Sequence, residues 1–207
     1  KKAEQMESYW KRVNAVEPAA GKAVLLAPTP PYYDTGQGKV LGLVKLIALT
    51  DAACSQCIQL DGVITALEGA GIKMVDKQVH AYDSTEGKVA IERFGVTRVP
   101  ALILSSDVTA YEGMAEQLKA LNSVEKDGYY AVHSVVPPYR EVAGNQVKGL
   151  VEVIYLTDES CKECFDVTVN KQILQRFGLA MESEKTLDAA SKEGKELVNR
   201  YNITKVP

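Results

Sequence analysis

The stretch Leu43-Val44-Lys45-Leu46-Ile47-Ala48-Leu49-Thr50-Asp51-Ala52-Ala53-Cys54-Ser55-Gln56-Cys57 returns 107 residues later as Leu150-Val151-Glu152-Val153-Ile154-Tyr155-Leu156-Thr157-Asp158-Glu159-Ser160-Cys161-Lys162-Glu163-Cys164. In each case an apolar run of strand length passes through Thr-Asp into a Cys-x-x-Cys. Near-continuous apolar runs of this kind suit a strand covered on both faces, as in a parallel sheet. A dithiol then stands at the carboxyl end of that strand.

Working outward, the same shift superimposes Gly42–Pro100 on Gly149–Pro207 without a gap, with 20 identities over 59 positions. The shared residues include Glu-Gly-Lys and the closing Val-Pro, and upstream Pro30-Pro31-Tyr32 falls on Pro137-Pro138-Tyr139. Solenoid repeats run to about 20–50 residues. A period of 107 is the size of a whole domain, so the chain reads as a duplicated one. The divisions expected are a lead-in helix over 1–17, a first domain over 18–125 and a second over 126–207. Met6–Glu17 resembles Met114–Glu125 and reads as an amphipathic helix entering a new unit.

Within one repeat, a short strand (Ala23–Ala27; Ala131–Val135) precedes a rigid Pro-Pro-Tyr turn and then the apolar strand. A helix is predicted to open at the cysteines, with Phe165, Val169, Ile173 and Phe177 recurring every four residues as its apolar stripe. Gly71 and Gly178 end it. A strand follows (Ile72–Val79; Leu179–Thr186), and a second helix starts at the N-caps Ser84 and Ser191. That helix closes at Gly95 in one copy and Asn202 in the other, two residue types that tolerate the left-handed conformation. After Val99-Pro100, Ala101–Ser105 and Val108–Glu112 read as a hairpin, and a helix from Met114 completes the unit.

The composition narrows the function. A net charge of −3 over 207 residues excludes a broad nucleic-acid surface, which needs clustered Lys and Arg. No run reaches the roughly 18 apolar residues of a membrane span. The chain begins Lys-Lys without a Met, which is compatible with a signal or a membrane tether upstream of residue 1. The reading leans toward an extracytoplasmic or membrane-tethered protein, with a cytoplasmic one and the oligomeric state left open. All four cysteines fall in the two pairs, which reads as redox or metal chemistry rather than a disulfide scaffold.

Strand, dithiol helix, strand, helix, Val-Pro, hairpin, helix: this order resembles the thioredoxin superfamily, and its duplication resembles the tandem two-domain protein disulfide oxidoreductases. The resemblance implies an α/β fold of two tandem thioredoxin-like domains, each a central mixed sheet flanked by helices, with the second truncated at Val206-Pro207. It also implies an enzyme exchanging disulfides with protein substrates that carry thiols or disulfides, with no cofactor and no metal. A cysteine at a helix N-terminus meets unpaired N–H groups and the helix dipole, which favour a thiolate. Cys54 and Cys161 are therefore expected to attack, and Cys57 and Cys164, three residues on, to resolve the mixed disulfide.

By resemblance, Pro100 and Pro207 are cis and lie against the dithiol, while Val99 and Val206 offer backbone hydrogen bonds to substrate. The chain departs from the superfamily pattern at Ala53 and Ser160, where Trp is usual. It departs again between the cysteines, where Ser-Gln and Lys-Glu replace Gly-Pro, and at Ala48 and Tyr155, where a buried Asp is usual. Asp51 and Asp158 read as turn residues rather than proton relays, and His80 and His133 as strand or surface residues. These departures keep a second reading alive, a redox-inactive binding module or scaffold. Because Pro207 matches Pro100, the natural chain is expected to run on for about 20–45 residues resembling Ala101–Val124, which a marginal domain would need.

Overall fold

The computed structural model describes residues 16–19, 22–24, 29–133 and 136–207. In chain order its first elements are β1 (Val16–Ala19), β2 (Lys22–Val24), β3 (Tyr32–Asp34), β4 (Lys39–Leu41) and β5 (Val44–Thr50). Then come α1 (Leu60–Gly69), β6 (Met74–Ala81), α2 (Thr85–Phe94), β7 (Arg98–Val99), β8 (Ala101–Ser105) and α3 (Met114–Ala120). The remainder comprises β9 (Val124–Lys126), β10 (Tyr129–His133), β11 (Tyr139–Glu141), β12 (Gln146–Lys148), β13 (Leu150–Thr157), α4 (Asn170–Arg176), β14 (Ala180–Asp188) and α5 (Lys192–Arg200). The architecture is α/β, with a mixed sheet flanked by helices. The lead-in helix expected over Met6–Glu17 lies outside the described residues except at Val16 and Glu17, which belong to β1.

Two compact units divide the chain: Lys1–Ala48 with Asp61–Val79 and Leu102–Val132, and Leu49–Leu60 with His80–Ala101 and His133–Pro207. The first carries a five-stranded sheet in the order β6-β5-β8-β10-β9. In β5, Val44, Leu46, Ala48 and Leu49 are buried, and all five residues of β8 are buried. β8 is thus covered on both faces, whereas β5 is covered along the Val44, Leu46 and Ala48 face and opens on the other from buried Leu49 to exposed Lys45. Each fully buried aliphatic side chain contributes roughly 1.5–3 kcal/mol. On α1 and α3 the buried side chains are Leu60, Ile64, Met114 and Leu118.

The hairpin expected over Val108–Glu112 does not form. Ser106–Ala110 is a 3-10 turn instead, with the Thr109 hydroxyl donating to the Ser106 carbonyl at 2.8 Å. A hydroxyl bonding back to the local backbone competes with a ladder. The neighbour of β8 is β10, which holds the strand expected over Ala131–Val135 as far as its described residues go.

The second unit holds β13 and β14, parallel from Leu150 opposite Ala180 to Thr157 opposite Asp188, with a register shift between Val151 and Glu152. It also holds a three-stranded sheet, β12-β11-β7. The duplicated residues set matching local structure. Ser84 and Ser191 cap α2 and α5, each accepting the N–H three residues on (Gly87 and Gly194) at 2.9 Å. Gly95 (φ 67°) and Asn202 (φ 50°) then turn left-handed after those helices. Gly42 and Gly149 share a φ of 87°, and a side chain at either would run into Pro30 or Pro137.

The copies differ in what they bury. Among the described residues nearly all buried apolar side chains lie between Val44 and Ala131, with Pro138 and Tyr155 joining them from further along. The stripe of Phe165, Val169, Ile173 and Phe177 is not a buried helical face: Phe165 is 60% and Phe177 76% exposed. The Asp166 carboxylate accepts from the Thr168 N–H (2.9 Å) and hydroxyl (2.6 Å), opening a 3-10 turn over Val167–Val169. Three β-branched residues and a local carboxylate bond delay α4 until Asn170, leaving Phe165 ahead of it.

Candidate functional site

Both cysteine pairs stand just beyond a strand end, in a turn built by the preceding aspartate. In the first copy Asp51 Oδ1 accepts the Ala53 N–H (3.1 Å), and its carbonyl accepts the Cys54 N–H (3.2 Å). Cys57 N–H then donates to the Cys54 carbonyl at 3.2 Å. In the second, Asp158 Oδ1 accepts the Ser160 N–H (2.9 Å) and hydroxyl (2.6 Å), and its carbonyl accepts the Cys161 N–H (3.1 Å). These bonds pull the Asp158 carboxyl below its usual range, the Ser160 hydroxyl being the largest cause. Each pair is closed as a disulfide, with Cα atoms 5.3 Å apart for Cys54–Cys57 and 5.4 Å for Cys161–Cys164.

One expectation changes here. The cysteines do not open a helix: α1 begins at Leu60 and α4 at Asn170. In the first copy a further turn, Cys57 N–H to the Cys54 carbonyl, follows the aspartate turn, and in the second the Asp166 carboxylate opens a 3-10 turn, before either helix starts. The influence of a helix terminus fades within its first turn, so helix position does not distinguish Cys54 from Cys57.

The two sites differ in cover and charge. Cys54 and Cys57 are each 4% exposed, whereas Cys161 is half-buried and Cys164 exposed. Gln56, inside the first turn, donates to the Met181 carbonyl at 2.8 Å. Arg140 of β11 donates from Nε to Asp51 Oδ2 at 2.8 Å, the Asp51 side chain being fully buried and that of Arg140 11% exposed. This hydrogen bond, ahead of the charge attraction, raises Arg140 above its ordinary value. Sequence reasoning missed Arg140 because its counterpart at the repeat spacing is Tyr33, so the duplication offers no pointer to it.

The Val-Pro pairs also diverge. The Val99–Pro100 bond is cis, and both residues are buried. The edge of β7 at Val99 is occupied by β11, with Arg140 opposite Val99 and Glu141 opposite Arg98. Val206 and Pro207 are half-buried, and their bond is not among the cis bonds of the described residues. The Pro207 carbonyl accepts the Asp158 N–H at 3.1 Å, which brings it to the second dithiol turn.

One ligand atom from each of Asp51, Cys54 and Cys57 falls within 4.8 Å of the others. Ala53 and Arg140 hold the two carboxylate oxygens, and the sulfurs are bonded to each other. His80 and His133 sit on β6 and β10, with the His133 ring accepting the Thr97 N–H at 3.4 Å.

Fold and site together define an α/β protein carrying two separate Cys-x-x-Cys disulfides at strand ends, compatible with a thioredoxin-like fold and pointing to redox-related chemistry. No protein-family model matches the chain, and no curated protein matches it.

Proposed function

We propose that this chain is a thiol–disulfide oxidoreductase of the tandem thioredoxin-like kind, with its domains over 18–125 and 126–207 and one dithiol in each. The observation that carries the reading is the repeated turn: an aspartate, then two cysteines three apart, closed as a disulfide at the end of a strand in both copies. In the reducing direction, the thiolate of Cys54 or Cys161 attacks one sulfur of a protein disulfide and breaks it. The departing sulfur takes a proton from solvent. Cys57 or Cys164 then loses its proton and attacks the mixed disulfide, which releases the second substrate thiolate and leaves the protein's own disulfide. Two electrons pass to the substrate, and the same steps in reverse oxidise a substrate dithiol. Val99, Pro100, Val206 and Pro207 are the proposed substrate-binding residues.

A second reading is favoured at the first copy by the burial of Cys54 and Cys57 and by the occupied edge of β7. There the fold would serve as a binding module or scaffold. Turbidity from insulin reduction with dithiothreitol separates the two. Acceleration that is lost in Cys161→Ser supports exchange at the second pair, and no acceleration by the full chain leaves the scaffold reading.

A further inference from the structure

The first dithiol shares its turn with a buried anion. An Asp51 oxygen lies within 4.8 Å of both sulfurs, in a side chain with no solvent exposure. Its counter-charge comes from 89 residues further along the chain. Arg140 is held at several points. Its Nη1 donates to the Asn145 carbonyl at 3.0 Å, and its guanidinium faces the Tyr82 ring at 5.1 Å. Tyr82 in turn donates from its hydroxyl to Asn145 Oδ1 at 3.0 Å. The backbone of Arg140 is paired on both sides, to Val147 of β12 and Val99 of β7. Besides Asp51, the charged or titratable groups acting on the guanidinium are Tyr82 and Asp83.

Reduction of the disulfide creates thiols beside this carboxylate. A lone anion a few ångströms away disfavours a thiolate, and a cation paired with that anion removes the penalty. The geometry assigns Arg140 as a positioning residue of the first dithiol: it holds Asp51 in the turn and cancels its charge, so that a thiolate at Cys54 meets no net negative neighbour. A residue of the second repeat thereby completes a site in the first. The second dithiol has a different arrangement, since Asp158 is half-buried and its carboxylate is bonded to Ser160 rather than to an arginine. The use of that thiolate rests on the exchange reading above, but its acidity can be measured without any partner.

The test is the pH dependence of iodoacetamide alkylation in the reduced full-length chain, mapped cysteine by cysteine with mass spectrometry. Arg140→Gln is expected to raise the Cys54 midpoint by about one unit or more. Arg140→Lys should recover part of that shift, and adding Asp51→Asn to Arg140→Gln should abolish it. Cys161 should not move in any variant. An unchanged Cys54 midpoint in Arg140→Gln overturns the assignment, as does an equal shift when Asp51→Asn is present. If Arg140→Gln fails to fold, Asp51→Asn alone decides: the Cys54 midpoint should fall, and a rise or no change overturns the assignment. Insulin turnover, measured in parallel, separates the two ideas. Shifts without turnover remove the exchange reading, and turnover without shifts removes the role of Arg140.

Discussion

The Tyr111 hydroxyl donates to the Gly42 carbonyl across 2.7 Å, and the same oxygen accepts the Lys73 N–H at 2.7 Å. One buried phenol thus satisfies backbone groups at the entry to β5 and ahead of β6, where no ladder bond would reach them. Tyr111→Phe removes both partners and keeps the ring. The expected cost is about 1–3 kcal/mol, because the stranded carbonyl and N–H keep their desolvation penalty. Urea unfolding measures it, and a midpoint equal to that of the unmodified protein would contradict this account.

The two disulfides should not be reduced together. Cys164 is open to solvent and Cys161 half-buried, while Cys54 and Cys57 are covered. Limiting amounts of a water-soluble phosphine, followed by alkylation and mass spectrometry, should label Cys161 and Cys164 well before the first pair. Earlier labelling of Cys54 would mean that the cover over the first turn opens freely.

Stability should depend on pH through His133. Burial, then the positive charge of Arg98, lowers its pKa in the folded protein. The unfolded chain therefore takes up the proton more readily. The contribution to stability is complete above the unfolded value of about 6.5 and is lost as pH falls below it toward the folded value. Urea midpoints taken between about pH 7.5 and pH 5 should fall more steeply for the natural chain than for His133→Gln. Parallel slopes would remove His133 from the explanation.

Zinc is expected to be absent in stoichiometric amount, even after reduction. Two thiolates and Asp51 supply three donors, but Arg140 and the Ala53 N–H occupy the carboxylate oxygens. Elemental analysis of protein purified with and without reductant checks this. About one zinc per chain, lost on mutating either pair, would replace the redox reading with a structural metal site.

What could be read from the chain beforehand was local. Ser84 and Ser191 cap helices because their hydroxyls reach an N–H three residues on, and Gly95 and Asn202 close because they tolerate positive φ. The run of β5 is apolar because the strand is internal to its sheet, between β6 and β8, with Val44, Leu46 and Ala48 buried along one face. Competition between local bonds was harder to see. Asp166 uses its carboxylate to make a turn where periodicity points to helix, and Thr109 uses its hydroxyl to make one where a strand is expected. Long-range partners were out of reach. Asp51 read as a turn residue, which it is, but its buried pairing with Arg140 depends on a strand 89 residues away.

Gly42 and Gly149 carry a consequence for how such a chain can drift. A Cβ on Gly42 would lie 2.6 Å from the Pro30 Cβ, and one on Gly149 would collide with Pro137. The nearest proline atom is a Cβ that any residue but glycine would also carry, and the φ of 87° disfavours a side chain at the glycine whatever stands opposite. Replacing the proline therefore makes no room at the glycine, so the constraint runs one way: the proline can drift while the glycine stays fixed. A duplication copies that asymmetry whole, and each copy then carries it independently.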